Sequence, residues 1–141
     1  TTNGGYMKST FIILILSSIL GVRSAQAAST FDEMPTEKEV AVNINDAYIP
    51  NSFDSNSESY VIVNGLFPNG CYRWKRADVN HRTGNVHEVK SVAAVNQGMC
   101  IMVLTPFTKE VRLGKLDAGK HEIRFVNGDG TFLKKELIIE E

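Results

Sequence analysis

The sequence predicts an all-β domain, a single sandwich of seven or eight short strands, and three observations predict it. Apolar and polar residues alternate with a period of two in several separate stretches, the pattern of a strand with one buried face. Clusters of Gly, Asn, Asp and Pro separate those stretches at short intervals, as turns do. No stretch of residues 40–141 sustains the 3.6-residue period of an amphipathic helix. Many short strands with close-spaced turns are the signature of sandwiches and barrels.

The elements follow in chain order. Residues 1–6 precede Met7, the expected initiator, and are read as upstream residues. Residues 7–27 read as a signal peptide: Lys8 is followed by the apolar run from Phe11 to Leu16, extended by Ile19, Leu20 and Val22. Ala25 and Ala27 fit the small-residue pattern of a cleavage site, with cleavage after Ala27. A membrane anchor is the rival reading, but a spanning helix needs about 20 apolar residues, and Ser17, Ser18 and Gly21 interrupt this run. The expected location is therefore the periplasm or the exterior, with no integral membrane segment once the signal is removed. Residues 28–39 are polar, contain Pro35, and read as a flexible segment ahead of the sandwich at 40–141.

Val40, Val42 and Ile44 alternate with Ala41, Asn43 and Asn45 and form the first strand. Residues 51–58 are rich in Asn, Ser and Asp and form a loop. Tyr60, Val61, Ile62 and Val63 suit a buried strand, and Pro68-Asn69-Gly70 turns the chain. In the next strand, unbroken alternation places Cys71, Arg73 and Lys75 on one face and Tyr72, Trp74 and Arg76 on the other; Gly70 puts Cys71 at the start of that strand. Thr83-Gly84-Asn85 is a turn. His87, Val89, Ser91 and Ala93 then share one face. The run Met99 to Leu104 is the most apolar of residues 28–141 and is expected to be a central strand ending at Pro106, with Met99 and Met102 as core fillers. Val111 and Leu113 belong to the next strand. His121, Ile123 and Phe125 alternate with Lys120, Glu122 and Arg124, and Asn127-Gly128-Asp129-Gly130 makes a hairpin turn. Phe132 to Ile139 closes the domain.

Cys71 and Cys100 are the only cysteines, so one intramolecular disulfide is the single pairing open to them. Disulfides persist in exported proteins and rarely in cytosolic ones. Closing a loop of about 30 residues removes unfolded-state entropy worth about 3.6 kcal/mol. The chain lacks C-x-x-C, so a redox role has no support.

The stretch from Val111 to Phe125, with Leu113-Gly114, Leu116, Gly119 and His121 at its marker positions, resembles the late hairpin of bacterial exported immunoglobulin-like domains. His121 stands where those domains have an aromatic residue. Together with Phe67-Pro68-Asn69-Gly70-Cys71-Tyr72 and Leu104-Thr105-Pro106-Phe107, the frame is similar to small uncharacterised exported bacterial proteins with an immunoglobulin-like β-sandwich domain. The resemblance implies that sandwich, braced by one intersheet disulfide, and no particular activity. Trp74 lies too close to Cys71 for the cysteine–tryptophan core of antibody domains.

Function is read from what the residues permit. The formal net charge is −1. Removing residues 1–27 takes away Lys8 and Arg23 and leaves about −3, which opposes a general nucleic-acid binder needing a basic stripe. No nucleophile elbow appears, and the acids sit mainly in turns and at the chain end, so no catalytic set is expected. Tyr72, Arg73, Trp74 and Arg76 form the one basic-aromatic cluster, the residue types that anchor protein interfaces. The first expectation is thus a non-catalytic exported binding module that meets a protein or cell-envelope partner through loops or a sheet edge. The alternative is a periplasmic metal or small-ligand carrier using Asp78, His81 and His87, since imidazole and carboxylate bind zinc and copper. No cofactor is implied.

Overall fold

The computed structural model describes residues 37–141. The expected signal peptide and nearly all of the segment 28–39 lie outside those residues. The described chain is all-β, with nine strands in two sheets. The larger sheet contains β1 (Glu37–Ala41), β3 (Phe53–Asp54), β5 (Tyr72–Arg82), β6 (Val86–Asn96), β8 (Gly119–Val126) and β9 (Phe132–Glu140). The smaller contains β2 (Asp46–Tyr48), β4 (Ser59–Phe67) and β7 (Thr105–Gly114), in the order β2-β4-β7.

β6 organises the larger sheet. Along its whole length it pairs antiparallel with β5. Its C-terminal half also pairs antiparallel with β1, and its N-terminal half pairs parallel with β8. β8 continues the sheet through antiparallel β9 to β3, which runs parallel to β9. The alternation read over Val40 to Ile44 is thus divided: Val40 lies in β1, Val42 and Ile44 lie on the connection after it, and by Asp46 the chain has joined the smaller sheet as β2.

The inward phases meet between the sheets. Val61, Val63 and Phe67 of β4 and Phe107, Val111 and Leu113 of β7 face Val89 and Ala93 of β6, Ile123 and Phe125 of β8, and Leu137 and Ile139 of β9. Val61, Val63, Val89, Ile123 and Phe125 are fully buried, each contributing about 1.5–3 kcal/mol by leaving water. An aromatic group fills one end of this core: Phe67 stacks on Phe107 at 4.4 Å and on Tyr72 at 6.0 Å, and Trp74 packs on Phe107 at 5.5 Å.

The run Met99 to Leu104 is not a central strand. It is the crossover from β6 to β7, and Met99, Ile101, Met102, Val103 and Leu104 are all exposed. The aromatic group already fills the interior at that end, so Met99 and Met102 are not core fillers. Pro106 does not end a strand either; it lies within β7, opposite Leu66. β7 pairs only with β4, and an edge strand tolerates a residue without an N–H.

Cys71 and Cys100 are bonded, with Cα atoms 5.2 Å apart. Cys71 lies just before β5, where Gly70 placed it. Both cysteines sit on connections between the sheets, β4 to β5 and β6 to β7. The bond therefore ties the two crossovers at the end of the sandwich and does not run through its interior.

Candidate functional site

A β-bulge decides the faces of β5. The register with β6 shifts between Trp74 and Arg76, leaving Lys75 as the extra residue. Tyr72 and Trp74 face the core before it, Ala77 and Val79 after it. Lys75 and Arg76 both stay exposed. Arg76 thus lies on the outer face and not beside Trp74, as unbroken alternation required.

The basic-aromatic cluster is divided by this geometry. Trp74 and Tyr72 are half-buried against Phe107 and Phe67. Arg73 donates to Glu37 at 2.6 Å, Lys75 to Glu39 at 2.6 Å, and Arg76 to Glu39 at 2.7 Å and to Asp78 at 2.9 Å. Glu37 and Glu39 stand on β1, across β6, so these pairs lie over Ala94, which is 1% exposed. The hydrogen bond from Arg73 holds the Glu37 carboxyl below its ordinary range, and those from Lys75 and Arg76 do the same for Glu39. Exposed pairs of this kind add little stability, because water and salt screen the attraction. Their consequence is that the basic groups already have carboxylate partners within the chain.

The same bulge moves His81 onto the inner face. His81 of β5 pairs in register with His87 of β6, and His121 of β8 completes a row of three imidazoles across the sheet. Asp78 is not part of it: it points to the outer face and accepts from Arg76. The distances are 2.6 Å from His81 Nδ1 to His87 Nδ1 and 2.8 Å from His87 Nε2 to His121 Nδ1. His121 Nε2 lies 2.7 Å from the Asp117 carbonyl oxygen. A carbonyl only accepts, so His121 carries its proton on Nε2, and in the neutral row Nδ1 of His121 accepts. His87 then donates from Nε2 and presents a lone pair at Nδ1, where His81 donates. The direction of the whole row follows from the Asp117 carbonyl. His87 is 5% exposed and His121 2%, whereas His81 is exposed at the end of the sandwich. Burial first, then repulsion from the other two imidazoles, pushes the His87 pKa down to about 4.

The local sequence places this row. Gly84 and Asn85 both adopt positive φ, 74° and 56°, which closes the tight β5–β6 turn. Asn85 O accepts from the N–H of Glu122 at 2.9 Å, which seats the turn on the start of β8. His87 and His121 were legible as inward residues from their alternation with Val89 and Ile123. His81 and His87 were expected together, but with Asp78; that His121 joins them and Asp78 turns away was not legible, because the bulge reverses the phase of β5.

The crossover at the other end is a second exposed feature. The disulfide holds it, together with bonds from Gly70 N–H to Ile101 O at 2.8 Å and from Asn96 N–H to Cys71 O at 2.9 Å. Leu66 and Pro106, paired across β4 and β7, extend its apolar surface. Among the described residues, a recess of about 180 Å³ borders His121 and another of about 250 Å³ borders Tyr72, both smaller than ligand pockets of about 300–1,000 Å³. No helix among the described residues is long and apolar enough to cross a membrane.

A family model described as the ORF11 beta-sandwich domain matches residues 61–134, more than half of the chain. The chain belongs to this family. The ORF11 β-sandwich match runs from β4 into β9, so it takes in both cysteines, the apolar crossover and all three histidines. No curated protein and no solved structure matches this ORF11 β-sandwich chain.

Proposed function

We propose that the protein is an exported, non-catalytic binding module, and that it meets a protein or cell-envelope partner through the crossover Met99 to Leu104. The observation that carries this reading is five large apolar side chains standing 58–104% exposed on a loop fixed by a disulfide. Contiguous exposed apolar surface on a small domain marks an interaction site, and methionine adapts to varied partner surfaces. Fixing the loop backbone in advance reduces the ordering cost of association. Export is supported by the apolar run Phe11 to Val22 ahead of Ala25 and Ala27, and by the disulfide itself.

The sheet edges support docking less well. On β5 the bulge leaves Lys75 and Arg76 exposed, and on β7 Lys109 holds an inward position yet remains exposed. Bulges and charges of this sort oppose edge pairing. The Tyr72–Arg76 strand also has its charges paired and Trp74 packed, so it braces the loop end and presents little free surface.

The test places a photoreactive residue at Met102 and, as control, at Thr108, with crosslinking in the source cells. A discrete adduct from position 102, absent at 108 and lost with Ile101→Asp and Leu104→Asp, supports the reading. Equal labelling at both positions refutes it.

A further inference from the structure

The histidine row lies at the far end of the sandwich from the crossover and has no part in that binding reading. We propose that His81 and His87 form a two-imidazole site for a late first-row divalent cation, Zn(II) or Cu(II), with His121 as the positioning residue that orients His87. Two nitrogens face each other at 2.6 Å, Nδ1 to Nδ1, at the mouth of the row. The His87 nitrogen is a fixed lone pair, because its Nε2–H is committed to His121, which is committed in turn to the Asp117 carbonyl. A ligating histidine ordinarily donates its other ring N–H to such a partner, which sets its tautomer.

His81 supplies the second nitrogen without a burial penalty. Its Nε2 has no protein partner among the described residues and stands at the exposed end, so water can move its proton from Nδ1 to Nε2. Both Nδ1 lone pairs then converge on one point, with no net change in protonation. With metal–nitrogen distances of about 2.0–2.1 Å and tetrahedral angles, the two nitrogens would stand about 3.3 Å apart. His81, on the last turn-proximal residues of β5, has to swing outward by about 0.7 Å to reach that separation. Imidazole selects zinc and copper over magnesium and calcium. No set of three or more protein ligands converges among the described residues, so water completes the coordination and the site is open and exchangeable.

The test titrates Zn(II) and, separately, Cu(II) into metal-free protein by calorimetry, with ¹⁵N NMR of the imidazoles. One ion per chain is expected. His81→Ala and His87→Gln should each weaken binding at least about 100-fold, and His121→Gln about 10–100-fold, the usual effect of losing an orienting partner. Zn(II) should shift Nδ1 of His81 and His87 while Nε2 of His87 keeps its proton. His81→Ala removes an exposed side chain, so its result does not depend on refolding of the interior. Unchanged affinity in that variant, or a zinc signal at His81 Nε2 with His87 unaffected, would overturn the site and leave the row as a hydrogen-bonded chain.

Discussion

Acid should weaken this fold through His87 before it reaches the carboxylates. In the unfolded chain His87 takes a proton near its ordinary pKa of about 6.5; in the fold the value is about 4. A pKa depressed by folding means that stability is complete above about pH 6.5 and falls as the pH drops toward 4, because the unfolded state binds the proton first. The full interval corresponds to about 3 kcal/mol. Water around exposed His81 screens part of the repulsion, which brings the expected loss to about 2 kcal/mol. His81 and His121 are the titratable groups in contact with His87. The carboxyls of Glu37, Glu39, Asp46 and Glu122 are lowered by hydrogen bonds from Arg and Lys side chains. They therefore protonate below the upper part of the histidine window. Urea unfolding from pH 7.0 to 4.5, in chelator-treated buffer, measures the effect against His87→Gln, which keeps a donor and an acceptor but does not titrate. The wild-type stability should fall by about 2 kcal/mol more than that of the variant across this range. Parallel pH profiles would refute the burial argument.

Two further substitutions probe the core. Gly65→Ala sets a Cβ into the ring of Phe107 and 3.0 Å from the Asn43 carbonyl, and overpacking of this kind should cost about 1–3 kcal/mol, read from the urea midpoint at constant slope. Ser91→Ala should raise stability by about 1 kcal/mol, because Ser91 Oγ is buried without a hydrogen-bond partner; a loss on calorimetric melting would mean that the hydroxyl is satisfied.

Much of the sandwich was legible because its strands keep strict alternation. His87 through Ala93 and His121 through Phe125 occupy the faces their phases assign, and Val61 and Val63 lie buried in the strand read at residues 60–63. The turns at Gly84-Asn85 and Asn127–Gly130 also follow from their residues. The apolar run Met99 to Leu104 was misplaced because hydropathy measures preference for an interior and says nothing about whether space remains there. Phe67, Tyr72, Trp74 and Phe107 had already closed that end.

The sequence by itself determined the all-β class, the inward phases of β6 and β8, and the single cysteine pairing, since each follows from local period or from counting. Only the tertiary structure decided which residues form a site. One extra residue at Lys75 reverses the side-chain phase of β5, taking Arg76 and Asp78 outward to ion pairs and carrying His81 inward to His87 and His121. A strand's faces alternate with every residue, so a single bulge reassigns all that follow it, and its position is fixed by pairing with β6 rather than by β5 alone.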